Sequence, residues 1–540
     1  MRFIVLTLAI SVSLVNLACA PAVPVISDLE LEQGPNPSVP LAATIRLSTD
    51  LPTRVTLEIE DDESVSSIPL SGDAATVHEV PVLGLRPNRL HTLRVRAATA
   101  EGGEAVSADL ELQTDPLPTD FPPLEIWNAR PTLRERGVLM VPTYRWTASG
   151  PDREFGLVLG LNASGDVVWY YRTDHTISEP QINANGHLTY LSGRDGQMME
   201  IDLFGNVMRR WHTTGIEKEV PPESIPIDTD TLHHDYAVLP SGNFLALGSE
   251  ARRYESYPSS EEDARAPWKP HNVIGDLIVE FDPTGTVVRD WRLLDILDPV
   301  RLGPGSLGTG FWTKVYEELL DEPGYDWAHA NSLIYDDRDD SAILSLNHQS
   351  AIVKIDLETG ELKWILGDPA GWKEPWSAKL LEPVGEVVWP YNQHAAKLTP
   401  DGQILLFDNG AELGIPWYEP TRSEPRHSRA VIYEIDEAKG EVRQIWSFGS
   451  SEGEFFYSSF LSDTDWLPAT GNIMVTAGAR EHPAADDQDD RGRMWANIFE
   501  VQRSSNGENQ KVFDLVIDDP AFGWGVYRSQ LMPEFYSSGG

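Results

Sequence analysis

A strand, a turn closed by glycine and a second strand ending on a large aromatic recur six times along this chain. The copies read LGLNASGDVVW (Gly165, Trp169), EIDLFGNVMRRW (Gly205, Trp211), EFDPTGTVVRDW (Gly285, Trp291), KIDLETGELKW (Gly360, Trp364), EIDEAKGEVRQIW (Gly440, Trp446) and EVQRSSNGENQKVF (Gly507, Phe513). The aromatic follows the glycine by four or six residues, always an even number. Side chains alternate faces along a strand, so an even offset keeps every aromatic on one face. Between these hairpins lie others: HHDYAVLPSGNFLAL, HANSLIYDDRDDSAILSL, QHAAKLTPDGQILLF and SDTDWLPATGNIMVT. Two hairpins make a four-stranded sheet, and six such units predict an all-β chain whose main body is a six-bladed β-propeller. The aromatics then pack between blades.

The segment before the repeats has a different character. Residues 21–117 contain no Trp and show short alternating runs, ATIRLS, RVTLEIE and HTLRVRA, separated by turns. That is the pattern of a small β-sandwich. Leu85-Arg86-Pro87-Asn88-Arg89-Leu90-His91 resembles the tyrosine-corner segment of fibronectin type III domains, with His91 in place of the Tyr. Asp115-Pro116-Leu117-Pro118 marks a linker, so the propeller is expected over residues 118–540.

Residues 1–20 read as an export signal: Arg2, an apolar run from Phe3 to Leu17, then small residues around Cys19. The run is too short for a transmembrane helix. Cys19 is the only cysteine, which leaves no intrachain disulfide, and its position after the run suggests a lipidated first residue. Asn16 departs from the aliphatic residue usual in such lipid-attachment sequences, and cleavage releasing a soluble protein is the alternative. Both place the protein outside the cytoplasm, in the periplasm or anchored to the outer membrane. The formal net charge of −42, from 84 acidic and 42 basic residues, excludes nucleic acid as a partner. The acidic tracts Asp336–Asp340 and Asp486–Asp490 match no EF-hand loop and read as solvated turns.

Three histidines share one register. His234 lies eight residues before Gly242, His394 eight before Gly402, and His329 eight before Asp337, where the same turn falls. Equal offset predicts equivalent positions at the start of the innermost strand in three successive blades, hence one side of one rim. Ser178 and, with one extra turn residue, Ser462 hold that place in the second and sixth blades. Asn331 follows His329 by two, and Asn347-His348-Gln349 ends the next strand at the same rim. The expected result is a polar, histidine-rich pocket with few acids nearby in sequence. Such a pocket suits a metal, for which His is a common ligand. It equally suits nucleophilic and electrostatic catalysis on an anionic group. The residues alone leave both readings open.

The segments DWAHANSLIYDDRDDSAILSLNHQSAIVKIDLETGELKWILGD, YNQHAAKLTPDGQILLFDNG, HSRAVIYEID and HHDYAVLPSGN resemble the bacterial arylsulfate sulfotransferases, from roughly Gly156 to Leu531. An N-terminal β-sandwich before a six-bladed propeller is similar to that family's architecture. The resemblance implies transfer of a sulfuryl group from an aryl sulfate donor to a phenolic acceptor, without a nucleotide donor or a metal. It implies a ping-pong course through a sulfohistidine, with His394 as nucleophile. His234, His329 and Asn331 then hold the sulfuryl oxygens, one histidine protonates the leaving phenolate, and Asn347 and His348 face the substrate. A homodimer and membrane attachment through Cys19 are further expectations. The family has Arg where this chain has Asn347, so a fixed cation is missing. Two rival readings remain: a metalloenzyme using the same histidines, and a surface propeller that binds a ligand without catalysis.

Overall fold

The computed structural model describes residues 21–147, 150–192, 196–216, 220–451, 453–482, 493–504 and 508–536. Residues 1–20 with Cys19, the tract Asp486–Asp490 and Gly507 lie outside them.

The first layer is a sandwich built on one long strand. Ala43–Glu60 runs for 18 residues and serves two sheets. Its first half pairs with Ile26–Gln33 and Ala75–Val82, and its second half with Val65–Pro69 and Leu90–Ala98. Alternating Ala43, Ile45, Leu47, Leu57 and Ile59 point inward to meet Val80, Val82, Leu93 and Val95. The corner survives the loss of its tyrosine: buried His91 donates from Nε2 to the Arg86 carbonyl at 3.0 Å.

Six sheets then form the propeller. The inner strands of blades 2 to 6 are Ser178–Ile182, His233–Val238, Ala330–Asp336, His394–Leu398 and Asp463–Trp466. Both ends of the domain close the ring. Leu124–Ala129 adds to the outside of blade 6, against Gln510–Ile517. From the other end, Gly523–Gly525 and Gln530–Met532 pair with Val138–Thr147 as the inner edge of blade 1. The last strands of the propeller thus cover the inner edge of its first blade.

The repeated aromatics lie between blades, as their common face requires. Trp169 and Trp211 are fully buried, and each indole donates to a turn carbonyl of the next blade: Leu203 at 2.8 Å and Pro283 at 3.2 Å. Trp446 does the same to the Asn509 side chain at 3.0 Å. Burying roughly 200 Å² of each ring stabilises on the order of 5 kcal/mol, at about 25 cal/mol per Å². The sandwich docks against this body. Val39, Ala42 and Leu83 share a core with Val138, Trp169, Tyr171 and Met532, and the Tyr536 hydroxyl exchanges hydrogen bonds with both backbone groups of Leu83.

Long connections gather on the rim where the inner strands begin. The second strand of blade 3, Phe244–Tyr257, overshoots that rim, and residues 258–268 and 293–325 follow as insertions. Trp417 on the 409–428 connection donates to the Ser260 carbonyl at 3.1 Å, and Glu261 accepts from the backbone of Gly305 and Leu307. The insertions thus brace one another over the mouth.

Candidate active site

His234, His329 and His394 stand on this rim, but their backbones are not strictly equivalent. Each inner strand of blades 2 to 5 starts with a bulge, a register shift that swings side chains towards the axis. His234 (φ +57°) and His329 (φ +50°) are left-handed residues at this irregularity. In blade 5 the left-handed residue is Ala395 (φ +53°), one position later, and His394 pairs with Phe407 in the extended ladder. The equal offset from the turn therefore conceals a shift of one residue. Holding a non-glycine residue in this region costs about 1–2 kcal/mol, and such strain concentrates where side-chain direction matters.

The rings meet in a chain. His234 and His329 lie edge to face with centroids 4.8 Å apart, and His329 stacks on His348 at 4.9 Å. Tyr527 fills the space between His234 and His394, at 5.9 and 6.4 Å. Phe311, on the 293–325 insertion, contacts both His234 and His329 while 41% of its own surface stays exposed. Gly305 closes over His348: a Cβ there would lie 2.9 Å from the imidazole, and its φ is +96°.

Hydrogen bonds set the protonation of each ring. The amide nitrogen of Asn409 is bound to the carbonyls of Ser458 (2.8 Å) and Leu461 (3.2 Å), which turns its oxygen to His394 Nδ1 at 2.7 Å. That oxygen only accepts, so His394 carries its hydrogen on Nδ1 and presents a bare Nε2. Burial, reinforced by the charges of His329 and Arg528, holds His394 down to about 3, neutral at physiological pH. His329 is the opposite case. Burial works against its charged form, but the Asp326 carboxylate, 2.6 Å from Nδ1, and Asp276 outweigh it and raise its affinity for a proton. Asp326 is itself held below the usual carboxylate range by His329 and His348, despite its burial, and accepts the Trp312 indole at 3.0 Å. His348 donates from Nδ1 to the Asp326 carbonyl at 2.6 Å.

The two asparagines are tied mainly to the backbone and side chains leading into blade 5, although the Asn347 amide also lies 3.4 Å from His394 Nδ1. Buried Asn331 donates its amide to the Gln393 carbonyl at 2.7 Å, tying blade 4 to blade 5. Asn347 is paired with Asn392 in both directions, at 2.9 and 3.2 Å, behind His394. Neither Ser178 nor Ser462 joins the rings: Ser178 receives the Tyr144 hydroxyl, and Ser462 bonds Ser458 and the Gly478 backbone. The expectation of few acids is corrected, since Asp326, Asp276 and Asp235 all come in. A cation comes in as well: Arg528 pairs with Asp235 at 3.0 Å and donates to the Asn331 carbonyl. Sequence reasoning missed Asp326, although DWAH sets it three residues before His329, and Asn409, which lies fifteen residues after His394 and is brought to it by strand pairing. Tyr527 and Arg528 carried no such signal, because only ring closure brings the C-terminal segment to the axis.

Among the described residues, two groups bring three imidazole or carboxylate ligand atoms within 4.8 Å of one another: Asp326, His329 and His348, and Asp336, Asp339 and Glu437. Neither contains His234 or His394, and in the first the ring nitrogens facing Asp326 are occupied by hydrogen bonds.

A family model described as Arylsulfotransferase (ASST) matches residues 144–528, and one described as Arylsulfotransferase Ig-like domain matches residues 32–115. The first spans well over half the chain. The chain belongs to the arylsulfotransferase family. Among relatives of this arylsulfotransferase, the arylsulfate sulfotransferase AssT of Escherichia coli O6:H1 is 26% identical over 535 residues, covering 83% of this chain and 84% of that protein. The AssT of Lelliottia amnigena is 26% identical over 565 residues, covering 88% and 87%. Among solved structures, virginiamycin B lyase from Staphylococcus aureus aligns at TM-score 0.30 and 9% identity, over 72% of this chain and 87% of that one, a likeness that carries no argument about chemistry. Family membership makes the chain an enzyme of the aryl-sulfate sulfotransferase class.

Proposed function

We propose that the enzyme moves a sulfuryl group from an aryl sulfate to a phenol in two half-reactions through sulfated His394. The observation that carries this reading is the bare Nε2 of His394, enforced by Asn409. In the first half-reaction the Nε2 lone pair attacks sulfur, the bond from sulfur to the aryl oxygen breaks, and the leaving phenolate takes a proton from His329 Nε2. In the second, an acceptor phenol returns a proton to His329 as its oxygen attacks sulfur, and the nitrogen–sulfur bond breaks back to His394. One group serves as acid and then base because donor and acceptor pass through the same place. Asp326 keeps His329 charged between turnovers, and a positioned acid of this kind is worth about 10²–10⁴ in rate. Asn331 and Asn347 support His394 and its strand from behind rather than touching the sulfuryl group, while His348 backs His329. The reading needs neither a metal nor a nucleotide. We further propose that the chain is exported and held at the membrane through Cys19.

Intact mass after incubation with 4-nitrophenyl sulfate and no acceptor tests the chemistry. One added sulfuryl group mapping to His394, and absent from a folded His394→Ala variant, is expected. A wild-type protein that stays unmodified, yet on adding a phenol releases 4-nitrophenol and sulfates that phenol, overturns the sulfohistidine.

A further inference from the structure

His233 is absent from the scheme above, yet it touches His234 directly. It is buried, its ring meets His234 at right angles with centroids 5.0 Å apart, and its Nδ1 lies 2.8 Å from His234 Nδ1. Its other nitrogen, Nε2, lies 3.0 Å from the Gly248 carbonyl. A carbonyl only accepts, so Nε2 must carry hydrogen. Burial drives His233 down to about 4, so at neutral pH the ring is uncharged and its Nδ1 is a bare acceptor. The short contact between the two Nδ1 atoms then has a single solution: His234 donates.

The consequence falls on the other side of His234. With its hydrogen committed to Nδ1, a neutral His234 has only a lone pair on Nε2. A sulfuryl oxygen also offers only lone pairs, so neutral His234 repels the group it is placed to hold. Both contacts are satisfied together in one state alone, with hydrogen on both nitrogens.

We propose that His233 is a positioning residue that fixes the hydrogen of His234 on Nδ1, so that His234 holds the sulfuryl group only as an imidazolium formed by proton uptake from solvent when the anion binds. The inference rests on the sulfuryl reading of this site. It accounts for how a pocket with neutral Asn347 meets an anion. The guanidinium that acts on His234 is that of Arg528, and it is committed to Asp235 and to the Asn331 carbonyl. The groups facing His234 are the rings of Phe311 and Tyr527, the three histidines His233, His329 and His394, and Arg528. Burial, then the charges of those histidines and of Arg528, hold His234 well below the ordinary imidazole range in the free enzyme. The empty pocket therefore keeps His234 neutral, and the incoming negative charge tips it.

Inorganic sulfate is a suitable probe, since it is fully ionised near pH 8 and cannot be transferred. Calorimetric titration of the full chain in two buffers of different ionisation enthalpy reads protons taken up per sulfate bound. Near pH 8 the wild type is expected to take up about one proton more than His233→Leu, in which His234 is free to carry its hydrogen on Nε2 and bind uncharged. Sulfate affinity should fall by up to about tenfold per pH unit in the wild type and much less in the variant. His233→Gln, whose amide can donate to Gly248 and accept from His234, should restore both behaviours. A purely packing role for His233 leaves the proton count of His233→Leu unchanged, and that result overturns the proposal. Should His233→Leu not fold, His234→Gln supplies an uncharged donor, and uptake equal to wild type in that variant overturns it as well. A sulfated His394 without this proton uptake sinks the inference and leaves the sulfuryl reading standing, whereas loss of the sulfated His394 sinks that reading itself.

Discussion

The inner strand of blade 4, Ala330–Asp336, has a cluster of ionisable side chains at each end, and the two are built on opposite plans. At the far end Lys354 is buried, with its ammonium 2.8 Å from Asp336, 2.9 Å from Asp339 and 2.7 Å from Glu437 of blade 5. The three carboxylates that could cage a metal are already filled by a cation of the chain itself. At the mouth, Asp326 has one partner ring at 2.6 Å, His329, whose remaining nitrogen faces the pocket. One cluster is closed and ties two blades together. The other keeps a ring that stays partly exposed, with 13% of its side chain accessible to an incoming group. The difference teaches that charge burial alone marks no site; what marks it is a ring nitrogen that the protein's own hydrogen bonds leave exposed to an incoming group.

Substitutions at the two ends should separate these roles. Asp326→Asn removes the charge that keeps His329 protonated, and kcat should fall by about 10²–10³-fold. The sign with pH follows from the acid role. His329 must be protonated to assist the leaving phenolate, its proton affinity is raised by Asp326, and so the alkaline limb of the rate profile should move to lower pH in the variant. An unmoved limb removes Asp326 from the mechanism. At the closed end, Lys354→Met leaves three carboxylates facing one another. We expect a loss of roughly 2–3 kcal/mol in stability, below the about 3–5 kcal/mol of a fully buried broken pair because Asp339 and Glu437 partly reach water. The kcat of the folded fraction should not change; a fall in kcat without a fall in unfolding midpoint would erase the contrast. The smallest effect is expected from EDTA, which should leave the transfer rate of either protein unaltered. Loss of activity on chelation, restored by one defined metal, returns the metalloenzyme reading.

Much of this was legible in the chain. Gly-to-aromatic spacing set the strand pattern, blade number and interblade indoles, because a period of two and a recurrent turn are local properties. His394, His234 and His329 could be picked out by their common offset for the same reason. The bulge was not legible: whether His394 or Ala395 takes the left-handed conformation is decided by how the neighbouring strand pairs. Nor were the ties of Asn331 to Gln393 and of Asn347 to Asn392, since those partners lead into another blade.

The sequence by itself determined an all-β repeat with a small sandwich in front, and a set of histidines at one rim. Only the tertiary structure decided which nitrogen of each ring carries hydrogen. Asn409 does this for His394, Asp326 for His329 and His233 for His234, and the Tyr527–Arg528 pair from the closing segment joins them at the axis. The physical reason is that proton placement depends on acceptors within about 3 Å and on the burial around them, and both arise only when strands distant in the chain are brought into one ring.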